Sequence, residues 1–171
     1  MEFSLRSWRG NDVDALVKHA NNPNIAKFLT DEFPDPYTAK DGQEFILRAI
    51  RDQPRKMLAI DVSGEAVGSI GVFPQTDIYS MNAEMGYWLS EEYWGNGMMT
   101  RAVRQMVKYG FETFEINRIY ARPFGTNVAS HRVLEKAGFV LEARFTETIL
   151  KKGQTLDELV YAIRRRSDRT N

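Results

Sequence analysis

Glu84-Met85-Gly86-Tyr87-Trp88-Leu89, followed by Tyr93-Trp94-Gly95-Asn96-Gly97-Met98-Met99-Thr100, is the stretch around which the rest of the chain is arranged. Its first half alternates and is rich in aromatic residues, which is the pattern of a strand. Its second half is a glycine-punctuated turn. Behind the turn runs an apolar stripe at helical spacing: Ala102, Val103, Met106, Val107, Gly110, Phe111 and Phe114. Strand, glycine loop and helix in that order make an anion site. The glycines let the backbone bend and approach a ligand, and the helix N-terminus offers unpaired N–H groups and the positive end of a dipole. The stretch therefore predicts a cradle for a pyrophosphate.

Composition narrows what the cradle can belong to. A chain of 171 residues with 43% hydrophobic and 27% charged residues reads as one soluble globular domain with a core of its own. Lys plus Arg and Asp plus Glu are both 23, a formal net charge of zero, which argues against a dedicated nucleic-acid binder. The basic run Arg164-Arg165-Arg166 reads as a solvated chain end. There is no cysteine, which excludes disulfides, thiolate metal sites and cysteine nucleophiles. Met1-Glu2-Phe3-Ser4-Leu5-Arg6 starts like a strand and lacks the apolar core of a signal peptide. No segment approaches about 18 consecutive apolar residues, so no membrane span is expected. The expectation is a cytoplasmic protein.

Along the chain, residues 2–9 read as a first strand, and Asn11-Asp12 starts a helix whose apolar face is Val13, Leu16, Val17 and Ala20. Ile25 to Leu29 suggests a second, short helix. Asp31 to Tyr37 is a proline-stiffened loop with exposed-looking aromatics, and Thr38 with Asp41 opens a third helix carrying Phe45, Ile46, Ala49 and Ile50. Residues 56–62 and 65–73 form a hairpin about Ser63-Gly64. Strand 81–89, the glycine loop and helix 98–114 follow, then a short strand at 118–122. Asn127 caps a helix that stops at Gly138, and strands 139–150 and 155–164 close the chain about Lys151-Lys152-Gly153. This order predicts a three-layer α/β domain, a mixed sheet with helices on its faces.

Taken alone, Gly-Asn-Gly before a helix is a weak signal. It has neither the spacing of the dinucleotide folds nor the Gly-Lys-Thr/Ser of nucleoside-triphosphate loops. The second element makes it specific: Asn127-Val128-Ala129-Ser130 opens a helix ending in Leu134-Glu135-Lys136-Ala137-Gly138-Phe139. The pair resembles the GNAT superfamily of acetyl-CoA-dependent N-acetyltransferases. Ala83 to Leu89 resembles its RimJ/RimL-type branch, which includes acetyltransferases of ribosomal-protein N-termini. The two motifs cover residues 81–139, and the order of elements agrees over nearly the whole chain.

The resemblance implies a GNAT-like fold, mostly antiparallel, whose central strands splay, and a use for each residue of the motifs. Trp94-Gly95-Asn96-Gly97-Met98-Met99, with Thr100, would hold the pyrophosphate of acetyl-CoA through backbone amides. Trp stands where the superfamily has Gln or Arg, and Met99 where it has Gly or Ala. A crowding side chain at Met99 is the concern, although any non-proline residue supplies the backbone donor. Splaying of strand 81–89 from strand 118–123 would leave a notch for the pantetheine arm, lined by Tyr87, Trp88 and Leu89. Leu89 would pair with that arm. The N–H of Tyr87 would lie near the acetyl carbonyl and stabilise its oxyanion.

Ser130 shares a helical stripe with Ala129, Val133 and Ala137 and so faces inward. Its plain reading is a serine bonded to its own helix backbone. Many superfamily members carry a tyrosine general acid four residues later, where this chain has Leu134; the branch implies Ser130 as the donor to the departing thiolate. Asn127 serves as N-cap and as cofactor contact. Glu84 is the candidate base, since an attacking amine must be neutral and free amines have pKa values of about 8 to 10. Its plain reading is a cross-strand ion pair. Asp157, with Glu158, is a weaker candidate for binding the acceptor amine. Phe33 and Tyr37 either line the acceptor cleft or pack the helices. His19 and His131 form no metal cluster, and no metal is expected. Arg101, Arg104, Arg132 and Lys136 either reach phosphates or form a solvated face.

These residues predict direct acetyl transfer from acetyl-CoA to a primary amine on a peptide N-terminus or a small molecule, with a homodimer compatible with the branch. The alternative is a non-catalytic acyl-CoA-binding or sensing module.

Overall fold

Turn chemistry sets the first part of the sheet. In the computed structural model, which describes residues 1–165, Ser63 and Gly64 both adopt positive φ, 53° and 92°. That is the backbone of a tight hairpin turn, and the Gly64 N–H donates to Asp61 Oδ1 at 2.8 Å. It joins β2 (Met57–Val62) to β3 (Glu65–Pro74). Outside them lie β1 (Ser4–Arg6) and β4 (Asn82–Leu89), then β5 (Arg118–Ala121) and the long terminal hairpin β6 (Val140–Lys151) and β7 (Gln154–Arg164). The seven strands run in the order β1-β2-β3-β4-β5-β7-β6, and only β4 and β5 are parallel. Arg166, the end of the basic run, lies outside the described residues.

Helices cover both faces of the sheet, as a three-layer α/β domain requires. α1 (Val13–Ala20) and α3 (Ala39–Arg51) lie on one face, over a core of Trp8, Leu16, Ile46, Ala59, Ala66 and Trp88. α4 (Met98–Thr113) and α5 (Val128–Ala137) lie on the other, over Ile70, Val72, Met85, Val103, Met106, Ile119 and Leu134. α3 begins with the expected reciprocal cap: the Asp41 N–H donates to Thr38 Oγ1 at 3.3 Å, and the Thr38 N–H to Asp41 Oδ2 at 2.8 Å.

Arg6 ties the N-terminal strand down. It donates to Asp12 at 2.7 and 2.9 Å and to Asp61 at 2.6 Å. Burial pushes the Asp12 carboxyl up, but the Arg6 guanidinium and the Arg9 N–H together outweigh it and hold that carboxyl below its ordinary range.

Three local expectations change. The first strand is shorter than 2–9, because Trp8 leaves the sheet and buries in the α1/α3 core. The second helix, α2, spans Pro23–Ala26, because Asn22 caps it through the Asn24 N–H at 2.8 Å and Pro23 fits its first turn. Tyr37 is only 5% exposed: its ring packs on Phe33 at 5.1 Å, and burial pushes its phenol up to about 12. No helix among the described residues is long and apolar enough to cross a membrane.

Candidate active site

The register of β4 fixes which of its backbone groups are free. The Ser90 N–H donates to the Val67 carbonyl and the Gln75 N–H to the Asn82 carbonyl, both at 2.8 Å. Even-numbered residues of β4 are therefore the ones bonded to β3, and the N–H and C=O groups of Tyr87 and Leu89 point the other way, toward β5. β5 pairs only with Asn82, Ala83 and Glu84. Beyond Glu84 the two strands part, leaving a notch along an unpaired backbone edge. Trp94 closes its far end, its indole N–H donating to the Leu89 carbonyl at 2.8 Å.

Gly95 and Gly97 sit beside the notch at φ 77° and 76°, left-handed values that side chains disfavour. Asn96 Oδ1 accepts the Met98 N–H at 3.0 Å, and the first α-helical bond runs from the Arg101 N–H to the Gly97 carbonyl at 3.2 Å. Among the described residues no protein acceptor meets the N–H of Met99 or Thr100. These are the orphan donors of the α4 N-terminus. The Met99 side chain packs in the core with 9% exposure.

A cavity of about 320 Å³ joins the glycine loop to the notch. Its lining includes Tyr87, Trp88, Leu89, Trp94, Gly95, Gly97, Met98, Met99, Thr100, Asn127 and Ser130. Asn96 stays at the rim as the cap of Met98. α5 brings Ser130 to the cavity: Asn127 Oδ1 accepts the Ser130 N–H at 3.2 Å, and Ser130 Oγ lies 2.7 Å from the Tyr87 hydroxyl. Burial pushes the Tyr87 phenol far up, with the Ser130 contact pulling slightly the other way, so it stays protonated at neutral pH. Leu134 is wholly buried. Arg132 and Lys136 line the cavity, whereas Arg104 donates to the Lys136 carbonyl and Arg101 packs over the Phe3 ring.

Asn24, Ile25, Phe28 and Leu29 also line the cavity, a contribution the sequence reading missed. The signal was present: Ile25, Phe28 and Leu29 are apolar at i, i+3 and i+4, and α2 itself ends at Ala26.

Glu84 lies on the other side of the sheet. Side chains alternate along β4, so Tyr87 faces α4 and α5 while Glu84, Gly86 and Trp88 face the α1/α3 side. Arg122 grips Glu84 through two hydrogen bonds, 2.9 and 3.2 Å, and reaches Glu158 at 3.3 Å. The Glu84 hydrogen bonds hold the Arg122 guanidinium above its ordinary pKa, against the pull of burial. Glu84 is thus at the apex of the notch, engaged by a cation and outside the cavity lining. Phe33 reaches the site indirectly, its ring 6.2 Å from that of Trp88. Asp157 is apart from both, accepting the Glu147 N–H at 3.0 Å and Arg144 Nε at 2.8 Å. His131 contacts the Phe124 carbonyl at 3.0 Å and stacks on Tyr161, and His19 is buried between Ser90 and Glu65.

An open strand edge beside a left-handed glycine loop and a helix mouth is the architecture expected from the two motifs, and comparison with known proteins agrees. Residues 2–140 match the Acetyltransferase (GNAT) domain family. "Probable N-acetyltransferase YjcK" of Bacillus subtilis is 35% identical over 135 residues, covering 75% of each chain. "Putative ribosomal N-acetyltransferase YdaF" of the same organism is 29% identical over 170 residues, 96% of this chain and 92% of the relative. The solved structure of RimJ from Mycobacterium smegmatis, in complex with CoA-disulfide, superposes with a TM-score of 0.82 at 23% identity, covering 95% of this chain and 81% of that one. The chain belongs to the GNAT family of acetyltransferases.

Proposed function

We propose that the protein moves an acetyl group from acetyl-CoA to a primary amine, on a peptide or protein N-terminus or a small molecule, by direct transfer. One observation carries this reading: the unpaired edge of β4 at Tyr87 and Leu89 opens into the same cavity as the orphan N–H groups of Met99 and Thr100. A phosphate-bearing, amide-containing ligand suits both at once. Arg132 and Lys136 at that cavity suit its negative charge. The name of YdaF, a putative ribosomal N-acetyltransferase, favours a ribosomal component among the acceptors.

Acetyl-CoA, when bound, supplies an activated acetyl group and a thiolate leaving group. The Tyr87 N–H is a donor for the acetyl carbonyl oxygen, which gains charge during attack and needs a preorganised partner. Ser130 Oγ holds the proton given to the departing sulfur, with the Tyr87 hydroxyl behind it at 2.7 Å. Glu84 takes the proton of the incoming ammonium on the opposite face, after Arg122 yields one of its two bonds.

A screen of amines and peptides with acetyl-CoA tests the reading. Turnover that drops strongly in Glu84→Gln and Ser130→Ala supports it. Acetyl-CoA binding with no turnover on any amine or peptide overturns transfer, and no binding at high micromolar concentration overturns the cradle.

A further inference from the structure

Resting on the transfer reading above, we propose that Gly86 is the acceptor's way in: its missing side chain opens the sheet face beside the notch and limits the bulk of the carbon that carries the attacking nitrogen. Three glycines lie in the β3–β4 pair, and two have packing reasons. A Cβ at Gly68 would stand 2.6 Å from the Trp88 carbonyl, and one at Gly71 would stand 2.6 Å from the Phe73 ring. At Gly86 the nearest atom to an added Cβ is Phe73 Cε2 at 4.0 Å, an ordinary contact, and the residue is exposed. Its φ lies outside the left-handed region, so no dihedral requires glycine either. Glycine inside a strand forfeits stability and marks close approach by a ligand when packing does not explain it.

The position of Gly86 says what approaches. It pairs directly with Gly71, so two adjacent positions lack side chains on this face. Along β4 the opening is flanked by Trp88, whose ring is mostly buried, and by Glu84, whose carboxylate suits an ammonium group when Arg122 yields a bond. The next peptide unit carries the Tyr87 N–H, which faces the notch. An amine entering over Gly86 therefore arrives from the side opposite the Ser130 hydroxyl, between the proposed base and the proposed acid.

Glycinamide, alaninamide and valinamide are the probes, with Gly86→Ala and Gly86→Val as the variants. The expected result is a melting temperature equal to or above wild type, acetyl-CoA affinity within about threefold, and kcat/KM falling about tenfold or more per added branch as variant and amide grow together. Equal slowing of all three amides, unchanged rates, or a parallel loss of acetyl-CoA affinity overturns the proposal. A wild type that acetylates none of the amides or peptides overturns the transfer reading and carries this inference with it. A wild type that acetylates them, with Gly86→Val matching its profile, overturns this inference alone.

Discussion

The hydroxyls of Tyr87 and Ser130 meet at 2.7 Å, linking the open edge of β4 to the first turn of α5. Leu134 is buried and cannot donate, so these are the hydroxyls that α5 and β4 bring to the cavity. Burial keeps the phenol protonated, so either hydroxyl of the pair can donate to the other through the neutral range.

If Ser130 gives up the proton, Ser130→Ala lowers kcat about 100-fold with little change in the KM for acetyl-CoA, whereas Tyr87→Phe costs about tenfold. The double variant then falls no further than Ser130→Ala, because the two hydroxyls act in series. Steady-state kinetics of the four proteins measure this.

Glu84 and Arg122 separate a base from a brace. If Glu84 accepts the amine's proton, Glu84→Gln lowers kcat/KM about 100-fold or more. Arg122→Gln, which frees the carboxylate, leaves kcat within a few-fold and changes the KM of the amine. Comparable losses in both variants, matched by comparable falls in melting temperature, assign the pair to structure alone.

Gly97 and Met99 are expected to diverge. Gly97→Ala forces a side chain into a left-handed backbone, costing about 1–2 kcal/mol and disturbing the loop, so acetyl-CoA affinity falls about tenfold. Met99→Ala removes a buried side chain and costs about 2–4 kcal/mol of stability, yet affinity stays within a few-fold because the donor is the backbone N–H. Thermal melts and titration calorimetry read the two effects separately.

Tyr37 and Tyr87 predict a loss of stability in alkali. Both phenols are raised in the folded state, Tyr37 to about 12. Below pH of about 10 they are protonated whether the chain is folded or not and contribute nothing. Above it the unfolded chain ionises first, so stability falls by about 1.4 kcal/mol per pH unit for each until the folded pKa is reached. Denaturant melts from pH 9 to 12 of the two Tyr→Phe variants should show a shallower decline than wild type.

The strand, glycine loop and capped helix were legible because each is local chemistry: alternation at Ala83 to Leu89, left-handed glycines at 95 and 97, the Asn127 cap and the Gly138 stop. The splay of β4 from β5 came from family resemblance, because no local pattern tells a strand where its neighbour stops pairing. The Glu84–Arg122 grip joins β4 to the residue just past β5, 38 positions on, so sequence offered an ion pair without naming its partner. Tyr37 looked exposed beside its prolines, but it is buried in a core whose Leu16, Ile46 and Trp88 come from other elements. The apolar spacing of Ile25, Phe28 and Leu29 was legible, but not the cavity they line, which is made with strands and helices far along the chain.

Amide hydrogen exchange, followed residue by residue with and without acetyl-CoA, tests the central claim most directly. The account predicts slower exchange at Tyr87, Leu89, Met99 and Thr100, the backbone donors that face the notch and the helix mouth. Even-numbered Gly86 and Trp88, whose amides bond to β3, should change little. Unchanged exchange at all four under saturating acetyl-CoA would contradict it.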